Sequence, residues 1–281
     1  MPTETLENKS SLMPLQKPLV VENSAQPRIG SLWSSMQEVC NLLRIPFFPQ
    51  SGAAEQLFQH VQLKAGQRIH TIGQSFENLY LVRTGFVKTL LIDEFGNEQV
   101  LAFPMKGDMI GIDAIHGNRY QTESVALTLC EIVVLPFKTL AKVVAANPGM
   151  EMMLHGILSA ELVRQQHLVG LLAGLSAEMR VAHFLVTLSE RFAQMGYSSK
   201  LFNLRMTRQE IGSYLGLTLE TVSRTLSAFN EAGLITVDQR SVGINDIQRL
   251  KSLRRLPPTS ARLRQTAVRQ AKKLAAEAAE V

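Results

Sequence analysis

Between residues 60 and 137 the chain alternates short apolar runs with glycine turns. Val61-Gln62-Leu63 precedes Ala65-Gly66, Leu79-Tyr80-Leu81-Val82 precedes Thr84-Gly85, and Phe86 to Ile92 precedes Phe95-Gly96-Asn97. Val100 to Phe103, Met109 to Ile112 and Glu123 to Leu135 continue the pattern. Short strands at near-regular spacing predict a small antiparallel barrel or roll. After Pro136 the period becomes helical. It predicts a short helix over Phe137–Ala146 that stops at Asn147-Pro148, a long one over Gly149–Leu172, and a third over Ser176–Gln194. In the long helix Met150, Met153 or Leu154, Ile157 or Leu158, Leu162, Gln165, Leu168 or Val169 and Leu172 recur at three- and four-residue steps, with no carboxylate along the stripe. Such a stripe could pack on the barrel, but its length beside a helix-turn-helix better suits a two-fold coiled-coil seam. The expected interface residues are Leu158, Leu162, Gln165, Val169 and Leu172. Residues 1 to about 28 mix Pro, Ser, Asn, Gln and Glu without periodicity and are expected to be disordered.

The segment Met206–Leu234 carries the most information. Thr207 stands where a helix would be capped, and Glu210 three residues on completes a capping box. Leu215-Gly216-Leu217 supplies a turn, with Gly216 free to adopt positive φ. Thr218 then caps a second helix whose Val222, Leu226 and Phe229 form an apolar stripe. Glu220, Thr221, Ser223 and Arg224 are left on its other side, near the N-terminal end. This is a helix-turn-helix, and that end of the second helix is the part that enters a major groove. Arginine can bond guanine bidentately and a carboxylate can accept from cytosine N4. A carboxylate is repelled by phosphate, so Glu220 reads best as a base contact. The expected contacts with double-stranded DNA are Thr207, Arg208, Thr218, Glu220, Thr221, Ser223 and Arg224.

Charge and composition narrow the field. The formal net charge is +5, yet Lys251–Val281 alone holds eight Lys/Arg and two Asp/Glu, leaving 21 basic and 22 acidic residues for the rest. The basicity therefore belongs to a tail that follows Pro257-Pro258, read as a solvated Ala/Lys/Arg-rich helix, with nonspecific, salt-sensitive phosphate contacts as the alternative. No apolar run is long enough to span a bilayer, and no secretory signal opens the chain. Two cysteines, Cys40 and Cys130, exclude a disulfide framework and fit a reducing cytoplasm. No phosphate-binding loop, Gly-x-Ser-x-Gly elbow or His/Cys metal spacing is present, so neither a catalytic nor a metal site is expected. An architectural binder would work through charge and bending without reading residues. The near-neutral body speaks against that.

Roll, long central helix and helix-turn-helix, in that order, resemble the Crp/Fnr family of bacterial transcription regulators over about residues 30 to 250. The likeness is to the Fnr branch, in Arg44–Phe47 (RIPF), Gly107–Ile115 (GDMIGIDAI), Cys130–Ile132 (CEI) and, above all, Met206–Arg224 (MTRQEIGSYLGLTLETVSR). It implies an α+β fold: an N-terminal antiparallel β-roll like a cyclic-nucleotide-binding domain, a long dimerisation helix and a C-terminal winged helix-turn-helix. The expected division is a disordered segment 1–28, β-roll 29–148, dimerisation helix 149–175, DNA-binding domain 176–250 and basic tail 251–281. The resemblance also implies a homodimer that reads inverted repeats of TTGAT-like half-sites. Arg224 would take the guanine, Glu220 its paired cytosine and Ser223 a neighbouring thymine. RNA polymerase is an implied partner, for which the acidic turn Asp93-Glu94 with Glu98 is a candidate surface. No membrane partner is expected.

The chain departs from both sensing chemistries of the family. Fnr-type clusters use N-terminal cysteines and one internal cysteine. Cys130 matches the internal one, but the register of the others places Arg44, Glu38 and Ser35 at ligand positions, with Cys40 out of step. A cubane needs four thiolates or close substitutes, so an iron–sulfur cluster is not expected. Gly107-Asp108 resembles the pair that holds a nucleotide ribose, but the phosphate-binding Arg-Ser is missing and Arg119 stands alone. The expected cofactor set is empty, with cyclic nucleotide and haem left open. Cys130 is the candidate redox or sensor residue, although a place in the core between Leu129 and Ile132 would make it inert. Having lost both sensors, the protein is expected to bind DNA without a ligand.

Overall fold

The structure, a computed structural model, describes residues 33–46, 56–146 and 148–253. The expected disordered segment 1–28 lies outside the described residues, as does the tail beyond Leu253. A strand, β1 (Trp33–Ser35), runs into the helix α1 (Met36–Leu43). Strands β2 (Leu57–Leu63), β3 (Arg68–His70), β4 (Asn78–Thr84), β5 (Val87–Ile92), β6 (Glu98–Ala102), β7 (Met109–Ile110), β8 (Glu123–Ala126) and β9 (Cys130–Pro136) follow. They form two antiparallel sheets, ordered β1-β2-β9-β4-β7 and β3-β8-β5-β6. Between them lie Ile69, Tyr80, Val82, Val87, Tyr120 and Ile132. The outer face of the larger sheet is covered as well. Leu79, Leu81, Val133 and Leu135 pack there against Met36 and Val39 of α1 and Leu140 of the next helix, α2 (Phe137–Ala145). Burial on both faces explains why Leu79-Tyr80-Leu81-Val82 is continuously apolar and does not alternate.

The β-roll expectation holds, with local corrections. Glu123–Leu135 is not one strand. The turn at 127–129 carries the chain from one sheet to the other, so β8 pairs with β5 while β9 pairs with β2 and β4. Met109–Ile112 stays extended only to Ile110, because Gly111 at φ 90° turns it into a 3-10 turn over Ile112–Ala114. Two short strands, β1 and β3, are not marked by any apolar run.

The long helix α3 spans Pro148–Gly174 and leads into α4 (Ala177–Gln194), capped by Ser176. The C-terminal unit continues with β10 (Leu201–Asn203), α5 (Arg208–Leu215), α6 (Leu219–Glu231), β11 (Ile235–Asp238), β12 (Ser241–Ile244) and α7 (Ile247–Ser252). Its small sheet, ordered β10-β12-β11, is the expected wing. The last helix runs two residues past 250, and Lys251 at its end pairs with Glu190 of α4 at 2.7 Å. The core of this unit extends into the roll: Val100, Phe103 and Met105 share one cluster with Leu185, Leu188, Phe192 and Val222.

His70 is an anomaly inside the roll. It is fully buried, it stacks on Tyr120 at 4.1 Å, and neither ring nitrogen has a hydrogen-bond partner. Burial drives its pKa from 6.5 down to about 4, which the Asp113 carboxylate only partly opposes. The unfolded chain therefore binds a proton that the fold rejects. Stability from this site is full above the ordinary histidine pKa and falls as pH descends toward the folded one. Between about pH 7.5 and about pH 5 the wild type should lose about 2 kcal/mol more than His70→Phe, measured by urea unfolding at both pH values. Equal losses would show that His70 is not the group responsible.

Candidate nucleic-acid interface

The two helices of the motif start and stop for local reasons. Thr207 caps α5: its hydroxyl accepts from the Glu210 N–H at 3.1 Å, and the Glu210 carboxylate accepts from the Thr207 N–H at 2.7 Å. Burial would raise the Glu210 pKa, but the Thr207 N–H and the Lys88 ammonium outweigh it and hold the carboxylate below its ordinary range. Gly216 ends α5 in the left-handed conformation at φ 61°. Gly212 is needed for another reason, since a Cβ there would meet the Leu217 carbonyl oxygen at 2.6 Å. That close approach tightens the turn, and Thr218 then caps α6 by accepting from the Thr221 N–H at 3.2 Å.

Along α6 the faces separate cleanly. Val222, Leu226 and Phe229 are buried in the domain core. Glu220 and Arg224 are exposed, and Thr221 and Ser223 are half-exposed on the same side. The Glu220 pKa is lowered, first by its own backbone N–H, then by the Thr218 hydroxyl and Arg224 one turn on. Thr207, Thr218 and the half-buried Arg208 stand at or beside the N-termini of the two helices. The structure thus brings all seven sequence-predicted contact residues to the helix ends and the open side of α6.

Comparison with known proteins decides what kind of site this is. Residues 179–253 match the family profile of the Crp-like helix-turn-helix domain, and residues 60–147 that of the cyclic nucleotide-binding domain. The transcriptional regulatory protein btr of Bordetella pertussis is 34% identical over 215 residues, 76% of this chain and 89% of that protein. The chain belongs to the Crp/Fnr family. This regulator is also 34% identical to the fumarate and nitrate reduction regulatory protein of Escherichia coli, over 78% of its own length and 88% of the relative's. The structure of FixK2 from Bradyrhizobium japonicum superposes with TM-score 0.66 at 26% identity, covering 72% of the regulator and all of that chain. The regulator is therefore a DNA-binding transcription regulator built as β-roll, long helix and helix-turn-helix.

The remaining predicted residues are distributed as follows. On α3, Leu162 and Val169 are 59% and 66% exposed and Gln165 is exposed, while Leu158 and Leu172 are half-buried against their own chain. Met150 packs under the roll and Leu171 in the DNA-binding domain, so only part of the stripe is open. A carboxylate lies beside the stripe, though not on it. Glu161 accepts from the Gln165 amide at 2.8 Å and is neutralised by Arg164 at 3.3 Å. Cys130 begins β9 in the core, with its thiol donating to the Phe86 carbonyl at 3.1 Å. Cys40 is on the buried face of α1, and burial pushes its thiol pKa up to about 11.

One arrangement is not legible in the sequence. A cleft of about 440 Å³ separates the roll from α3, and Asp108 stands in it between two arginines. Arg164 of α3 reaches its carboxylate at 3.1 Å, and Arg191 of α4 pairs with the other oxygen. Asp108 was visible as half of a Gly-Asp pair, but nothing local announces arginines 56 and 83 residues away. Buried thiols do not exchange, so neither Cys40 nor Cys130 should react with a disulfide reagent in the native protein, and both should after unfolding. Rapid labelling of native Cys130 would restore it as a sensor candidate.

Proposed function

We propose that the regulator acts as a homodimer that reads TTGAT-like inverted repeats, without an iron–sulfur cluster or a bound effector. The observation that carries the reading is α6: its apolar face is fully committed to the core, and Glu220, Thr221, Ser223 and Arg224 are offered together on the open side. The family pattern gives Arg224 to the guanine, Glu220 to its paired cytosine and Ser223 to a neighbouring thymine. The exposed Leu162 and Val169, seven residues apart on α3, support pairing with a second copy.

Two sets of residues support ligand-free action. The residues in register with cluster ligands are occupied otherwise: Ser35 and Glu38 form the capping box of α1, and Arg44 donates to the Gln194 carbonyl at 2.8 Å. With two cysteines in the chain, four thiolates cannot be assembled. The cleft is equally unsuited to a cyclic phosphate. Asp108, Asp113 and Glu161 outnumber Arg164 and Arg191 there, both arginines are already paired, and Arg119 is turned to the Gly73 carbonyl at 2.7 Å. The tip of the β5–β6 hairpin supports contact with RNA polymerase: Phe95 is 82% exposed beside Glu94 and a tightly held Asp93. Two unpaired thiols fit a reducing cytoplasm.

The test is binding of air-purified, ligand-free protein to a TTGAT/ATCAA inverted-repeat duplex against a scrambled one, at fixed salt. Tight, selective binding is expected; weak binding to both would mean that a ligand is required. Arg224→Ala should cost about 1–3 kcal/mol on the preferred duplex and relax preference at its guanine. Replacing Glu220 by Gln should change discrimination at the paired cytosine more than total affinity. Unaltered sequence preference in both variants would remove the base-reading assignment. By light scattering the wild type should be dimeric at micromolar concentration and Leu162→Asp largely monomeric. A monomeric wild type would sink the two-fold reading.

A further inference from the structure

We infer that Arg180 is a positioning residue that sets the half-site spacing the regulator accepts, by locking the helix-turn-helix to the end of α3. The inference rests on the homodimer proposed above. Arg180 lies in the first turn of α4 and is half-buried. All three of its guanidinium nitrogens are committed to backbone carbonyls. One terminal nitrogen donates to Leu172 in the last turn of α3 at 2.7 Å. Nε donates to Leu175 in the connection at 3.0 Å. The other terminal nitrogen donates to Leu215 at 3.0 Å and Gly216 at 3.4 Å, at the end of α5 and its turn.

The carbonyls in the last turn of a helix lack intrahelical partners and carry the negative end of the helix dipole. Arg180 thus serves two helix ends at once and joins them with one rigid, planar group. Apolar contacts at the same node point the same way. Leu171 is buried in the core of the DNA-binding domain, and a Cβ at Gly216 would touch the Leu172 side chain at 3.6 Å. The recognition helix α6 starts at Leu219, three residues beyond Gly216. A tilt at this node is therefore delivered to α6 with little slack. In a dimer the two α3 helices fix the axis, and the two nodes fix where each α6 stands relative to it. A lysine keeps the charge but is a single point donor on a flexible stem, so it cannot hold both helix ends in a fixed relation.

The experiment compares wild type and Arg180→Lys on the inverted repeat, on the same repeat with its spacer one base pair longer or shorter, and on a single half-site with its base variants. One base pair turns a half-site by about a tenth of a helical turn, so the wild type should lose at least about tenfold on either altered spacer. Arg180→Lys should bind the natural spacer about tenfold more weakly and lose most discrimination between spacers, while its base preference on the single half-site stays that of wild type. A nitroxide pair at Ser227→Cys, on the exposed side of α6, should give a narrow distance distribution in wild type and a broad one in the variant. Thermal unfolding is read first, and Arg180→Gln replaces the lysine variant if that one does not fold. Retained spacer discrimination with a narrow distribution overturns the inference. So does loss of base preference on the single half-site, which would make Arg180 a residue of the motif's own stability. A wild type indifferent to spacer overturns the homodimer reading, and the inference falls with it.

Discussion

An open strand edge has to be covered, and here the DNA-binding domain covers it. β6 closes one side of the four-stranded sheet, with its outer N–H and C=O groups facing α5. The Ser213 hydroxyl stands in for a neighbouring strand, donating to the Glu98 carbonyl at 3.0 Å and accepting from the Val100 N–H at 2.8 Å. The Gln99 amide returns a bond to the Ser213 carbonyl, and Lys88 bridges Glu98 at 2.8 Å and Glu210 at 3.2 Å. Each such polar contact adds only about 1 kcal/mol net. The larger contribution comes from Val100, Phe103 and Met105, since burying one side chain of this size stabilises by about 1.5–3 kcal/mol. Apolar burial holds the two units together, and the directional contacts choose the orientation. Edge closure also keeps β6 from pairing with other chains.

The same division of labour recurs at Asp108. A carboxylate in a cleft must be compensated, and it draws an arginine from α3 and another from α4. Phe103 supplies a second acceptor for Arg191 through its carbonyl at 3.4 Å, and its ring lies against Tyr214 of α5 at 5.3 Å. Removing either arginine alone would leave charge partly uncompensated, which costs more than the pair contributes. With Arg164 half exposed, the contacts add little to stability; they tie roll, long helix and DNA-binding domain at one point.

Legibility from sequence followed the range of the interactions. The helix-turn-helix was readable to the residue because its signals are local: two caps, one capping box, one left-handed glycine and a stripe at Val222, Leu226 and Phe229. The roll was readable as strands and turns, but β3 and the break between β8 and β9 depend on which sheet each strand joins, which no local run encodes. The long helix was readable as a helix and only partly as a seam. Apolar residues lie all round α3, because it packs on the roll at Met150, on the DNA-binding domain at Leu171, and still exposes Leu162. A helix with three apolar neighbours has no single stripe to find. Ser35 and Glu38 show the converse case: a register borrowed from family members put them at ligand positions, while their own spacing spells a capping box.

These contacts bear on how such a regulator could be controlled. A ligand shifts a conformational equilibrium only as far as it binds one state better than the other. Moving a population from mostly one state to mostly the other needs about 5.5 kcal/mol of differential affinity. The roll and the DNA-binding domain share an apolar core, a closed strand edge and the Asp108 node, so a ligand that moved one against the other would have to offset all three. On the proposed reading, two copies associate along α3 through the exposed Leu162 and Val169. Dimer formation depends on concentration by mass action. On that reading, the fraction of the regulator able to engage both half-sites rises with its own abundance.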